Sequence, residues 1–126
     1  MYHKWYIIAM NNRVKPLPVV FYRSASGREP VRDWLKSLLK CDRKIIGEDI
    51  KTVQVGWPVR MPLIKKLEGG LWEVRSRLDK GVARVMFSEH KGTLILLHGF
   101  IKKSQKTPLR DLKLARQRMR QVRGER

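Results

Sequence analysis

The segment from Leu94 to Pro108, LILLHGFIKKSQKTP, constrains this chain more than any other. Leu94-Ile95-Leu96-Leu97 is apolar at every position, so a strand here must be covered on both faces, inside a sheet and under helices. The strand then runs through His98-Gly99-Phe100-Ile101 toward Lys102, Lys103 and Lys106. A buried strand that breaks surface among lysines is a natural place for a working site. Thr107 and Pro108 predict the start of a helix, the first as N-cap and the second as first helical residue.

The clearest two-residue period lies just upstream. Trp72, Val74, Ser76 and Leu78 fall on one face, and Glu73, Arg75 and Arg77 on the other. Asp79-Lys80-Gly81 predicts a turn into Val82–Phe87, and His90-Lys91-Gly92 a second turn into the strand from Thr93 to Ile101. The result is a three-stranded antiparallel meander that exposes Arg75 and Arg77. Whether Arg84 joins them depends on the hairpin register, because a slip of one residue reverses every side chain.

Before the meander, Val19-Val20-Phe21-Tyr22 reads as a short strand. Pro30 opens a helix whose apolar stripe is Val31, Trp34, Leu35, Leu38 and Leu39. Asp42 is placed to cap a second helix carrying Ile45, Ile46, Ile50 and Val53, the pair forming a helical hairpin that turns near Lys40-Cys41. Gly56 to Pro62 contains prolines at 58 and 62 and reads as a loop. Leu63 to Gly70 reads as its continuation, carrying Lys65 and Lys66 to a glycine turn. Leu112, Ala115, Met119 and Val122 give the final helix a narrow apolar stripe. Pro16 and Pro18 set off residues 1–17 as an N-terminal extension, an extra strand or disordered, from a domain over 18–126. The expected class is α+β: strand, helical hairpin, meander, C-terminal helix.

Charge narrows the function. The chain has 29 Lys+Arg against 11 Asp+Glu, a net +18 over 126 residues, and such a small domain attracts polyanions. Nucleic acid fits better than a membrane surface, since the stripe of the last helix is too narrow and mild to insert. The Trp5–Met10 run is far short of the ~20 residues that span a bilayer. The lone Cys41 excludes an internal disulfide, and one Cys with three scattered His makes no metal cluster. The expectation is a cytoplasmic protein with no cofactor and no bound metal. Trp34, Trp57 and Trp72 read as packing residues rather than base-stacking platforms.

The basic residues converge: Lys65 and Lys66 from the loop, Arg75 and Arg77 from a strand, Lys102, Lys103 and Lys106 from the exit of the last strand. Cleaving a phosphodiester builds charge on the phosphoryl oxygens, which arginine and lysine stabilise. RNA carries its own nucleophile in the 2′-hydroxyl, so a base suffices to start the reaction, and a lysine in a crowded cationic site could serve. His98 is the conventional alternative, although its place in an apolar strand favours a satisfied core histidine. From residue types alone, binding phosphate without chemistry is the better account of the same set.

Several segments resemble the HigB-type branch of the RelE/HigB toxins, including relatives described as phage-derived proteins. They are Phe21-Tyr22-Arg23, Arg43 to Gly47, Trp57-Pro58, Lys66 to Arg75, and Leu97 to Lys103 with Lys106-Thr107-Pro108. The resemblance runs from about Val19 to Gln121. It implies a RelE-like compact domain and a ribosome-dependent mRNA endonuclease that arrests translation. It also implies neutralisation by a helix-turn-helix, HigA-like antitoxin, with operator DNA touched only through that complex. By motif, Arg75 matches the arginine of the family's Glu-Leu-Arg-type strand, and Lys102 and Lys103 match its basic residues after the last strand. These three are the candidate catalytic set, with Lys65, Lys66, Arg77, Arg84, His98 and Lys106 as nucleic-acid contacts. The acid-plus-two-histidine set of some HigB proteins has no equivalent here, nor does a catalytic tyrosine stand out. Adjacent lysines on a strand point to opposite sides, so Lys102 and Lys103 should act unequally, with Lys103 expected nearer the phosphate.

Overall fold

A computed structural model describes residues 16–57, 64–102 and 107–124. Residues 1–15, and with them most of the expected extension, lie outside the described residues, as do Lys103 and Lys106. The elements run β1 (Val19–Phe21), α1 (Pro30–Lys36), α2 (Lys40–Gly56), β2 (Ile64–Glu68), β3 (Leu71–Leu78), β4 (Gly81–His90), β5 (Thr93–Lys102) and α3 (Leu109–Val122). The class is α+β, compatible with a RelE-like fold. Instead of a three-stranded meander alone, however, the strands form one five-stranded mixed sheet in the order β1-β5-β4-β3-β2. The expected hairpins are present as β3-β4-β5, β1 adds parallel to β5, and β2 adds antiparallel to β3.

Strand β5 therefore has a hydrogen-bonded neighbour on each side, as its apolar run requires. Helices cover both faces of the sheet. On one, Val31 of α1 and Ile46, Ile50 and Val53 of α2 pack with Val74, Val85, Phe87, Leu94 and Leu96. On the other, Ala115 and Met119 of α3 pack with Tyr22, Leu71, Met86, Ile95 and Leu97. Burying a side chain such as Phe87 or Leu97 is worth roughly 1.5–3 kcal/mol, and the alternation of β4 and β5 distributes that burial between two layers. The mild stripe of α3 is enough because it lies on an apolar sheet rather than facing water.

Local details depart from expectation for identifiable reasons. Residues Ile64–Glu68, read as loop, are strand β2, with Ile64 opposite Val74 and Lys65 opposite Glu73. The α1 helix ends at Lys36, and Leu38 still packs into the core while Leu39 is exposed. Helix α2 starts at Lys40, so Asp42 lies within its first turn, where it complements the helix dipole rather than capping it. Pro108, not Thr107, is the N-cap of α3, and it offers no side-chain cap. Trp57 and Trp72 meet edge to face at 5.0 Å, and Trp57 meets Phe87 at 5.5 Å, so these aromatics are packing residues. Gly99 is where the Trp34 ring sits against the strand, in space that a Cβ would occupy.

Candidate nucleic-acid interface

The α3-side face of the sheet gathers most of the expected residues, and a bulge makes this possible. Met86 pairs with His98 but the next residue, Phe87, pairs with Leu96, so Leu97 is an extra residue on β5. Up to that point Ile95 and Leu97 face α3; beyond it His98, Phe100 and Lys102 do. Without the bulge, His98 and Lys102 would turn toward α1 and α2. Register then sets three adjacent rows on this face: Lys65, Glu73, Met86 and His98; Arg75, Arg84 and Phe100; Arg77, Val82 and Lys102.

At the centre is a buried carboxylate. Glu73, expected on the exposed side with Arg75 and Arg77, is fully buried. Its Oε2 accepts from Nε of Arg75 at 3.0 Å and lies 3.5 Å from Nη1 of Arg84, while Oε1 accepts from the Thr107 hydroxyl at 3.1 Å. Arg84 Nη1 also donates to Thr107 Oγ1 at 3.4 Å. Taking Glu73, Arg75 and Arg84 as −1, +1 and +1, the trio carries one net positive charge. The side chain of Arg75 is 27% exposed and that of Arg84 only 2%. Arg84 was expected to grip nucleic acid directly; its burial assigns it instead to holding Glu73 and Thr107. Thr107, expected to cap a helix, ties the start of α3's approach to the sheet.

Beside this cluster, His98 Nε2 and Asp111 Oδ1 are 2.6 Å apart, joining β5 to the first turn of α3. The imidazole stacks on Phe100 with centroids 5.6 Å apart. Sequence reasoning missed Asp111, read Thr107 only as a helix cap, and placed Glu73 on an exposed strand face. Lys66, in contrast, turns to the opposite face, with its Nζ 5.8 Å from the centre of the Trp72 ring. The structure thus brings together Lys65, Arg75, Arg77, Arg84, His98 and Lys102, and separates Lys66 from them.

The helix that roofs this face is itself pinned by charge. Arg116 makes a two-pronged contact with Glu68, Nε to Oε1 at 2.7 Å and Nη2 to Oε2 at 3.1 Å. The hydrogen bond from Arg116 holds the Glu68 carboxyl below its ordinary range, and the same bond raises Arg116. Arg118 donates to the Leu97 carbonyl at 2.8 Å and lies over the Tyr22 ring; burial lowers its pKa. Tyr22 in turn donates to Gln121.

The site is thus a basic sheet face with arginines oriented by a buried carboxylate, under a basic helix, in a small α+β domain. Residues 33–120 match the family model described as Phage derived protein Gp49-like (DUF891), and the chain belongs to that family. It is a toxin-like family related to RelE/HigB. A search of curated proteins gave no match. No helix among the described residues is long and apolar enough to cross a membrane, and no group of His, Cys, Asp and Glu among them could hold a metal ion.

Proposed function

We propose that the protein is the toxin of a type II toxin-antitoxin system, a ribosome-dependent mRNA endonuclease that uses the RNA's own 2′-hydroxyl and no metal. The observation that carries this reading is the orientation of Arg75. Its Nε is held by the buried Glu73, leaving the rest of a partly exposed guanidinium to meet a phosphate. A guanidinium fixed before substrate arrives stabilises developing phosphoryl charge without reorganising. Arg77 and Lys102, together in the next row of the same face, extend the positive surface along an RNA backbone. Lys102 shares the face of Arg75 by register, and we assign it to the phosphate.

The partners we propose meet the same surface. In our reading a helix-turn-helix, HigA-like antitoxin covers part of it, and operator DNA is met only through that complex. Ribosomal RNA and mRNA compete for it, with association that is fast and sensitive to salt. Controlled expression tests the reading: growth and translation should stop, and co-expression of a neighbouring helix-turn-helix gene should restore them. Continued growth with tight RNA binding would leave the same face as a nucleic-acid-binding surface without chemistry.

A further inference from the structure

We infer that His98, held by Asp111, is the group that takes the proton from the attacking 2′-hydroxyl; this rests on the cleavage reading above. Asp111 is buried in the first turn of α3 and accepts from Nε2 of His98. That contact fixes which nitrogen carries the proton and leaves Nδ1 as the acceptor. Among the described residues Nδ1 has no hydrogen-bond partner. The stack on Phe100 holds the plane of the ring, and the side chain keeps 16% of its surface open.

A strut between β5 and α3 would use the Nε2 contact alone. What the strut reading leaves unexplained is the sheet face on which His98 stands. The bulge at Leu97 turns His98 and Phe100 onto the face that carries Arg75 and Arg84. The backbones of β3 and β5 are two strand spacings apart, about 10 Å, a gap that an arginine and a bound phosphodiester together span. The charged groups on the same sheet face are Lys65 from β2, Glu73, Arg75 and Arg77 from β3, Arg84 from β4 and Lys102 from β5, with Asp111 and Arg118 meeting β5 from α3. In the reaction Nδ1 accepts the 2′ proton, the 2′ oxygen bonds to phosphorus, and the bond from phosphorus to the 5′ oxygen breaks. The leaving oxygen keeps that electron pair and takes a proton from water, giving a 2′,3′-cyclic phosphate and a 5′-hydroxyl. Asp111 is a positioning residue that stabilises the imidazolium formed.

The test is single-turnover cleavage of ribosome-bound mRNA against pH, with ribosome binding measured separately, for the wild type, His98→Gln and Asp111→Asn. Measured between about pH 5 and 8, the wild type should lose rate toward acid, as a base that must be unprotonated to act requires. His98→Gln, which can still donate to Asp111, should cut the rate constant about 10²–10⁴-fold with binding unchanged. Asp111→Asn should keep a reduced rate and move the acid limb to lower pH, because the imidazolium loses its counter-charge. A His98→Gln protein cleaving within about threefold of wild type would overturn the assignment while leaving the endonuclease reading intact. So would a wild-type profile flat across that pH range, which requires no folded variant. Intact mRNA with the wild type would instead overturn the endonuclease reading, and this assignment with it.

Discussion

Glu73 and Arg84 sit on neighbouring strands with Oε2 and Nη1 3.5 Å apart, and both side chains are closed to solvent. A carboxylate and a guanidinium taken out of water are tolerable only together, because the desolvation cost of each is offset by the other and by further hydrogen bonds. Here those bonds come from Arg75 and Thr107. Glu73→Ala should therefore destabilise the domain by about 3–5 kcal/mol. Urea titration monitored by tryptophan fluorescence checks this, and a loss under 1 kcal/mol would show that the cluster relaxes freely.

Arg75 stands differently in the same cluster. It is partly exposed, so Arg75→Ala should leave the fold intact while reducing mRNA cleavage about 10²–10³-fold, the usual effect of removing one fixed donor to a developing anion. Circular dichroism with single-turnover cleavage separates the two effects.

The Glu68–Arg116 contact makes an acid-dependent prediction. Because Glu68 is held below its ordinary value in the folded state, its stabilising contribution is present above the unfolded pKa, near 4.5. It is lost as pH falls through the lower folded value. Glu68→Gln should therefore narrow the stability difference between neutral pH and the acid side of that window. Melting temperatures across the window check it; equal acid sensitivity in both proteins would contradict it.

The chain's first described residues bear on the N-terminal extension. Leu17 donates its N–H to the Gln54 carbonyl at 3.2 Å, and its carbonyl accepts from Gln54 Nε2 at 2.7 Å. Deleting residues 1–10 should leave stability unchanged, whereas deleting through Leu17 should cost roughly 2–4 kcal/mol from two hydrogen bonds and a partly buried leucine. Comparative thermal melts of the two truncations decide it.

The sequence made the helices and hairpins legible because their periods are strong and uninterrupted. Strand β2 was hidden: it lacks alternation, Lys65 and Lys66 being adjacent, and a bulge falls between Lys66 and Glu68. Glu73 was read as exposed because alternation assigns polar residues to water, yet α3 covers that face too. The orientation of His98 and Lys102 depends on the bulge at Leu97, which strict alternation along an unbroken apolar run cannot reveal. Asp111 lies 13 residues from His98, and nothing local marks the two as partners. The basic set was legible from residue type and turn position, and the buried network that orients it only from the packing of α3.

Mapping RNA ends after brief induction of the protein tests the central claim most directly. Sequencing that captures cyclic-phosphate and 5′-hydroxyl ends should show new breaks inside translated regions, absent when Arg75→Ala is expressed. Intact messages during growth arrest, or breaks that persist unchanged in the Arg75→Ala strain, would contradict the account.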